Sequence, residues 1–246
     1  MNVVCIIPSR YASTRLPGKP LLDIAGKPMI QRVVERVRLA RRPSRVIVAT
    51  DDERIFSAVQ KFAGEVCMTS CSHATGTDRL AEVAHKLPDA QLILNVQGDE
   101  PLISPEALDA LVAAFDGDSG LQMATLMTEL AEEDFANPAA VKVVVSLDGH
   151  ALYFSRSLIP YPRNPDPALR YYKHIGVYAY RRDFLLRFAE LPPSPLEKAE
   201  SLEQLRALEH GFRIRVVETP FQPVGVDTPE DLERVRLLFY KKGELA

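Results

Sequence analysis

The amino-acid sequence predicts an α/β fold with a mainly parallel sheet and helices on both faces. In the first half of the chain, short apolar runs alternate with amphipathic stretches, which is typical of strands joined by crossover helices. The first run, residues 3–7, is continuously apolar and is followed by Pro8, as expected for a strand buried on both faces. Because crossovers between parallel strands are right-handed, helices should cover both faces of the sheet.

The other elements of the first half follow in order. Residues 28–42 read as a helix because their apolar side chains share one helical face. The apolar residues of that face are Met29, Ile30, Val33, Val34 and Val37. Further strands are predicted at residues 45–50, 65–68 and 92–96. Further helices are predicted at residues 52–62, from a cap at Thr77 to Leu87, and from a cap at Ser104, with Pro105 as first residue, to Phe115.

The second half has a less regular pattern, which predicts a smaller inserted α+β subdomain. Strands are expected at residues 121–127, 141–147, 174–180 and 213–218, and helices at residues 197–210 and from Thr228 onward. Residues 161–168 contain three prolines and follow Pro160, so they predict a loop and are the best candidate for a lid. Since there is no repeat and no clear linker, residues 1–246 are expected to form a single domain with this insertion.

Composition excludes several classes of protein. A chain of 246 residues buries a core without metal or disulfide. Its net charge of −3, from 30 basic and 33 acidic residues, disfavours general binding of nucleic acid. The apolar run at the start is far too short for a membrane span or a signal sequence. An odd number of cysteines, three, fits a reducing compartment, so a cytoplasmic protein is expected.

A basic loop at residues 8–20 follows the first strand directly. Ligands of open α/β sheets bind at the carboxyl ends of strands, and Arg10, Arg15 and Lys19 would suit a triphosphate there. The spacing is not that of a P-loop, and the chain has no GxGxxG motif for a dinucleotide. Taken alone, the loop could equally be a solvated basic segment.

Two acidic turns could hold a metal ion. Asp99 lies in the turn after the strand at residues 92–96, beside Gly98, and Asp227 precedes the last helix. Mg²⁺ typically takes one or two protein carboxylates together with phosphate oxygens. Each aspartate also has an ordinary interpretation, as a turn cap or as an acid near the positive end of a helix.

Together, these three segments resemble the sugar nucleotidyltransferase family, and most closely its cytidylyltransferases for 3-deoxy-manno-octulosonate (KDO). The resemblance covers nearly the whole chain and implies a Rossmann-like nucleotide-diphospho-sugar transferase sheet. Other segments that carry it are residues 24–30 (IAGKPMI), 64–69 (GEVCMT), 76–82 (GTDRLAE), 137–138 (NP), 141–144 (VKVV), 151–156 (ALYFSR), 174–178 (HIGVY), 194–197 (SPLE) and 200–206 (ESLEQLR).

The resemblance also implies a role for each candidate residue. Arg10, Arg15 and Lys19 would hold the phosphates of CTP, with Lys19 also stabilising the transition state. Asp99 and Asp227 would bind Mg²⁺. Residues expected around the nucleotide are Pro8, Ser9, Thr77, Arg79 and Gln97. Residues expected to hold the sugar acid are Arg156, on its carboxylate, His174, Tyr178, Glu203 and Gln204.

The reaction implied is attack of the anomeric hydroxyl of KDO on the α-phosphorus of CTP, giving CMP-KDO and pyrophosphate for lipopolysaccharide biosynthesis. A homodimer is also implied, with a sugar-binding and dimerisation subdomain at about residues 150–192. The chain departs from the family pattern at three places. Ser9 stands where a smaller residue is more frequent, Asp78 stands where Glu is usual, and residues 160–172 match poorly.

Other functions remain open at this stage. The nearest alternative is a cytidylyltransferase for a related 2-keto sugar acid, such as amino-KDO or a sialic-type acid. A glycosyltransferase would use a nucleotide sugar, which gives no reason for a loop with three cations. A non-catalytic nucleotide-binding module would bind CTP without turnover and would not need two metal carboxylates.

Overall fold

The computed structural model describes residues 1–12, 16–164 and 166–241. The strands are β1 (Val3–Ser9), β2 (Asp23–Ile24), β3 (Lys27–Pro28), β4 (Arg45–Thr50), β5 (Glu65–Met68), β6 (Leu92–Asn95), β7 (Met123–Glu129), β8 (Lys142–Val145), β9 (Ala151–Ser155), β10 (Tyr172–Arg181) and β11 (Ile214–Glu218). The helices are α1 (Met29–Val37), α2 (Glu53–Lys61), α3 (Gly76–His85), α4 (Pro105–Ala113), α5 (Arg182–Glu190), α6 (Pro195–Glu200), α7 (Gln204–Glu209) and α8 (Pro229–Lys241), with 3₁₀ turns at Lys19–Leu21 and Glu132–Asp134. The chain divides into two compact units, residues 1–109 with 223–246 and residues 110–222.

The first unit contains a parallel sheet in the order β6-β1-β4-β5. The apolar residues of β1 are buried, which confirms the prediction from the continuous apolar run at residues 3–7. Since β1 and β6 are adjacent and parallel, the loops that follow them leave from the same edge of the sheet. These two loops carry the basic segment and the turn that contains Asp99.

Helix α8 belongs to the first unit although it is the last element of the chain. Its apolar side chains join a buried cluster with residues near the start of α1. The cluster comprises Ile24, Ala25, Met29, Val226, Leu232, Val235 and Phe239. Arg32 of α1 is also buried, and it donates to the carbonyl oxygens of Ile24 and Ala25 at 2.9 and 2.6 Å. This packing places the turn that precedes α8 in the same unit as the basic loop.

The second unit contains a mixed sheet. β7 pairs in parallel with β11 and antiparallel with β10, and β8 pairs antiparallel with both β10 and β9. The pairing of β10 with β7 is interrupted by a bulge between Ile175 and Tyr178. Such bulges re-aim side chains and often lie beside functional sites.

Two predicted helix details are wrong. Thr75, not Thr77, caps α3: its hydroxyl accepts from the N–H of Asp78, while the Asp78 carboxylate accepts from the N–H of Thr75 at 2.9 Å. The helix predicted at residues 197–210 is broken into α6 and α7, because Ser201 adopts a left-handed conformation with φ of 51°. In the described part of the chain, no helix is long and apolar enough to cross a membrane.

Candidate functional site

A polar cavity of about 370 Å³ lies at the carboxyl ends of β1 and β6 in the first unit. Its lining brings together the basic loop, the turn after β6 and the turn before α8, as the sequence predicts for the ends of parallel strands. The lining residues are Pro8, Ser9, Arg10, Ala12, Lys19, Pro20, Gln97, Gly98, Asp99 and Asp227.

The backbone around Gly18 positions Lys19 in this cavity. Gly18 has φ of +67°, and its N–H donates to the carbonyl of Tyr11 at 3.1 Å. A side chain at this position would be strained by the positive φ and would meet the Tyr11 ring at 3.1 Å. The Lys19 N–H then donates to the Leu16 carbonyl at 3.1 Å as the 3₁₀ turn begins. Arg15, which was also predicted to hold phosphate, lies outside the described residues.

The Lys19 ammonium lies between the two predicted metal carboxylates. Its Nζ is 2.6 Å from Oδ2 of Asp99 and 3.1 Å from Oδ1 of Asp227. A backbone hydrogen bond of 3.0 Å from the Val226 N–H to the Asp99 carbonyl holds the two turns together. Burial opposes the charged form of Lys19, but the charges and hydrogen bonds of the two carboxylates raise its pKa.

The donor set of these two aspartates fits a hard divalent cation. Both supply carboxylate oxygens, which Mg²⁺ and similar ions prefer, and both line the cavity where phosphate oxygens would complete the coordination. In the described ranges, no cluster of three or more His, Cys, Asp or Glu side chains has metal-binding geometry. A metal ion held by the two carboxylates would take further oxygen ligands from its substrate or from water, which is typical of metal–nucleotide sites.

Close backbone packing shapes the floor of the cavity. A Cβ on Gly98 would lie 3.1 Å from the carbonyl oxygen of Pro8 and 3.7 Å from Oγ of Ser9, so a larger residue would displace this turn. The Ser9 hydroxyl is buried and has no hydrogen-bond partner within the described part of the chain. An unpartnered buried hydroxyl at the cavity wall favours a polar ligand there. Gln97, another predicted nucleotide residue, also lines this cavity.

Arg10 connects the cavity to the segment before α3. Its guanidinium donates to the carbonyls of His73 and Ala74, at 3.0 and 3.3 Å. Glu82 orders the same segment from α3 by accepting from the N–H of Ser70 and by pairing with Nε2 of His73, at 2.8 and 2.7 Å. Burial alone would raise the pKa of Glu82, but these hydrogen bonds and one from Lys86 lower it to about 2.

The structure places the two predicted nucleotide residues of α3 inside the protein. Arg79 is fully buried, where it forms an ion pair of 2.7 Å with Asp51 and donates to the Thr69 hydroxyl. Thr77 is also buried, in the first turn of α3. Arg79 therefore holds α3 against the end of β4, and its predicted contact with the nucleotide remains a prediction.

The second unit collects the residues predicted to hold the sugar acid. His174, on β10, packs edge-on against Phe154 at a centroid distance of 4.9 Å and beside Tyr178 at 5.4 Å. Its Nε2 is 2.9 Å from Oγ1 of Thr125. Burial lowers the pKa of His174 to about 3, so the ring is neutral.

Helix α7 supplies the other polar groups of this cluster. The amide of Gln204 is buried, and its Nε2 has no hydrogen-bond partner among the residues that the structure describes. Burial, with the charge of Glu203 as a smaller cause, raises the pKa of Tyr178 well above its usual range. A buried amide donor without a partner favours a polar ligand at this helix.

Arg156 is held by the backbone in this structure. Its guanidinium donates to the carbonyls of Glu200, Pro138 and Ser201, at 2.6, 3.0 and 3.3 Å. The Glu200 carboxylate in turn accepts from the Ser155 hydroxyl at 2.7 Å and from the Arg156 N–H at 2.9 Å. The predicted role of Arg156 on the substrate carboxylate is compatible with this arrangement, because a guanidinium has five donors and these three bonds use three.

Sequence reasoning missed several supporting residues. The buried Lys142 donates to the carbonyls of Asn137 and Arg156 at 2.6 and 3.2 Å. The sequence feature that could have identified Lys142 is a single cation among the apolar residues of the predicted strand, in the segment at residues 141–144. No comparable sequence feature identifies Thr125, Glu200 or Asp51. Their partners are distant in the sequence and come close only in the folded chain.

The parallel sheet and the cation–carboxylate cluster at its carboxyl edge define a nucleotide-binding α/β protein. The family model described as Cytidylyltransferase matches residues 4–214, and the chain belongs to this family. A 3-deoxy-manno-octulosonate cytidylyltransferase from Geobacter sulfurreducens is 55% identical, over 96% of this chain and 98% of its own. A protein of the same name from Geobacter metallireducens is 56% identical, over 96% of each chain.

Solved structures agree with the family and with the predicted fold class. A structure described as CMP:2-keto-3-deoxy-manno-octonic acid synthetase complexed with CTP is 50% identical, with a TM-score of 0.94 over 98% of this chain and 100% of that one. A cytidylyltransferase from Leptospira borgpetersenii is 18% identical and shares the fold, with a TM-score of 0.61 over 100% of this chain and 96% of that one.

Proposed function

We propose that this protein transfers CMP from CTP to the anomeric hydroxyl of KDO and releases pyrophosphate. The observation that carries the proposal is the position of Lys19 between Asp99 and Asp227, in a cavity at the carboxyl edge of a parallel sheet. Membership of the cytidylyltransferase family and the names of the relatives at 55–56% identity support both the nucleotide and the sugar acid. The solved structure that is 50% identical was obtained as a complex with CTP.

The residues of the first unit would bind and orient CTP. Arg10 and Lys19 neutralise phosphate oxygens, and the unpartnered hydroxyl of Ser9 hydrogen bonds with the nucleotide. Phosphoryl and nucleotidyl transfers depend more on positioning and charge neutralisation than on covalent chemistry. Lys19 would stabilise the negative charge that builds up as pyrophosphate leaves.

Asp99 and Asp227 would hold Mg²⁺ in the working enzyme. A bound divalent cation supplies charge neutralisation at the phosphates and lowers the pKa of an attacking hydroxyl. The role of the two carboxylates is to hold that charge beside the cavity, and Lys19 serves as their counter-ion when no metal is present.

The residues of the second unit would hold the acceptor. Arg156 has donors left for the carboxylate of the sugar acid, while Gln204 has a buried donor for one of its hydroxyl oxygens. We further propose that residues 150–192 form a sugar-binding and dimerisation subdomain, that the enzyme is a homodimer and that it works in the cytoplasm. The subdomain and the homodimer rest on the family resemblance, and the cytoplasmic location rests on the odd number of cysteines.

The deciding experiment measures pyrophosphate release from purified protein with Mg²⁺. CTP, UTP, GTP and ATP are each tested with and without KDO. Release that requires both CTP and KDO is the expected result. Release with CTP and a different 2-keto sugar acid would keep the chemistry and change the acceptor. CTP binding without release from any pair would contradict the enzyme and favour a nucleotide-binding module.

A further inference from the structure

Thr125 lies under the bulge of β10 and is fully buried in the middle of β7. Ile175 pairs with Leu126 and Tyr178 pairs with Thr125, so two residues of β10 are left over at this point of the ladder. The bulge turns two carbonyl oxygens toward the Thr125 hydroxyl. Oγ1 is 2.8 Å from the carbonyl oxygen of Val177 and 3.1 Å from that of Ile175.

The single hydroxyl proton of Thr125 determines which nitrogen of the His174 ring is protonated. A threonine hydroxyl has one proton, and carbonyl oxygens only accept, so this proton is directed at the bulge carbonyls of Val177 and Ile175. The third neighbour of the hydroxyl is Nε2 of His174, at 2.9 Å. If Nε2 carried no proton, Nε2 and the two carbonyl oxygens would all compete for the one hydroxyl proton of Thr125. If Nε2 carries a proton, it donates to a lone pair of Oγ1, and the hydroxyl proton stays with the carbonyls.

A neutral imidazole with its proton on Nε2 has a lone pair on Nδ1. The ring is neutral because it is packed against Phe154 and Tyr178, away from water. Within the described ranges, Nδ1 has no hydrogen-bond partner, and the residue keeps 9% of its surface exposed. This nitrogen is therefore available as an acceptor for a ligand.

We propose that Thr125, positioned by the β10 bulge, holds His174 as the neutral Nε2–H tautomer, so that Nδ1 accepts a hydrogen bond from a hydroxyl of the acceptor substrate. This inference rests on the proposed function for the choice of substrate, a polyhydroxy sugar acid. In this arrangement Thr125 is a positioning residue. His174 then selects a substrate that presents a hydroxyl group, because its Nδ1 can only accept a hydrogen bond. The arrangement also excludes His174 as a cation for the substrate carboxylate.

The tautomer is measured without substrate, by ¹⁵N–¹H correlation spectra of protein labelled at its five histidines. The His174→Asn variant assigns the signal. In the wild type at pH 7.5 we expect Nε2 as the protonated nitrogen and Nδ1 as the bare acceptor. Thr125→Val removes the hydroxyl and should mix the two tautomers, while Thr125→Ser keeps it and should leave the spectrum unchanged. A wild-type ring protonated on Nδ1, or charged, would overturn the proposal.

Kinetics then test what Nδ1 does. Thr125→Val should raise KM for KDO about tenfold, the scale of one lost hydrogen bond, and leave KM for CTP within about twofold. The amide oxygen of an asparagine can occupy the place of Nδ1, whereas that of a glutamine reaches toward Nε2. His174→Asn should therefore keep more affinity for KDO than His174→Gln.

The two assays separate this inference from the proposed function. If the spectra agree but KM for KDO is unchanged in Thr125→Val and His174→Gln, then Nδ1 does not bind the substrate and the inference fails. If the wild type releases no pyrophosphate with KDO, the proposed function fails. The spectra then still show whether Thr125 fixes the tautomer of His174, because they are recorded without substrate. Thr125→Ser checks that any loss comes from the hydroxyl and not from a damaged core.

Discussion

Lys19 shows how a single residue can prepare a site for an anionic ligand. Two carboxylates in one cavity repel each other, and the ammonium between Asp99 and Asp227 removes that repulsion. In the proposed function, the same ammonium would become available for phosphate oxygens when a metal ion takes the carboxylates. The site can therefore exchange one positive charge for another without leaving a carboxylate uncompensated.

Replacing Asp99 with asparagine tests the metal site with little change of shape. We expect kcat to fall by about 10² or more, the typical loss when one electrostatic group aimed at the transition state is removed. The measurement is pyrophosphate release at saturating CTP and KDO. Glu230→Gln removes an exposed carboxylate three positions from Asp227 and should be neutral. A near-normal kcat in Asp99→Asn would remove this residue from the mechanism.

His174 makes stability depend on pH in a defined direction. Burial lowers its folded pKa to about 3, from an ordinary value of about 6.5, so between these values the unfolded chain binds more protons. Its contribution to stability is complete above about pH 6.5 and is lost as the pH falls toward 3. The titratable side chain that contacts the ring is Tyr178, which stays neutral in this range.

Urea unfolding between pH 7 and pH 4.5 measures this contribution. The free energy of unfolding of the wild type should fall more steeply with acid than that of His174→Asn. The difference between the two slopes should approach one proton, or about 1.4 kcal/mol per pH unit. Equal slopes would mean that His174 titrates normally in the folded protein.

At the scale of elements, the residues at which helices begin and end determine where the neighbouring side chains lie. The chain could have continued helically from Pro195 to Glu209, but Ser201 adopts a left-handed conformation and α7 starts anew. Glu200 is thereby directed at Ser155 and Arg156 on the neighbouring strand end. The break also starts α7 immediately after Glu203, so that Glu203 and Gln204 lie at its beginning.

The capping box of α3 gives a prediction at this scale. Thr75→Ala removes the hydroxyl that accepts from the Asp78 N–H and should lower the free energy of unfolding by about 1 kcal/mol. Chemical denaturation measures the loss. Thr75→Ser retains the hydroxyl and should remain close to the wild type. No loss in Thr75→Ala would show that the cap does not hold α3 in solution.

At the scale of the whole molecule, the proposed function requires the protein to bind a polyanion although its own net charge is −3. Arg10 and Lys19 line the cavity beside Asp99 and Asp227, so the formal charges of these four side chains cancel, and a divalent cation bound with CTP would make the site positive. Binding of CTP with its metal should therefore stabilise the folded state by linkage. For an excess of 100 times Kd, the stabilisation is about 2.7 kcal/mol.

Thermal unfolding checks this linkage. CTP with Mg²⁺ should raise Tm more than CTP with a chelator does. The double variant Asp99→Asn and Asp227→Asn should lose that difference, because it lacks the carboxylates proposed to hold the metal. A metal-dependent increase that survives in the double variant would locate the metal elsewhere.

The sequence by itself determined the fold class of the first unit and the three segments that line the proposed nucleotide site. Strand burial follows from continuous apolar runs such as residues 3–7, and parallel strands bring their following loops to one edge. Local chemistry was also readable, because the predicted helix start at Thr228 is capped by that residue's own hydroxyl, which accepts from the N–H of Asp231 at 3.2 Å.

Only the tertiary structure decided which partners each polar residue has. Arg79 reads as a nucleotide contact in sequence, yet folding pairs it with Asp51, 28 positions away. Thr125 gained its place beside His174 from a bulge about 50 residues further along the chain, and Glu200 found its partners, Ser155 and the N–H of Arg156, about 45 residues earlier in the chain. Hydrogen bonds and burial depend on spatial neighbours, whereas hydrophobic periodicity depends on sequence neighbours. For that reason the helices and strands were predictable, and the hydrogen-bond partners of Arg79, Thr125 and Glu200 were not.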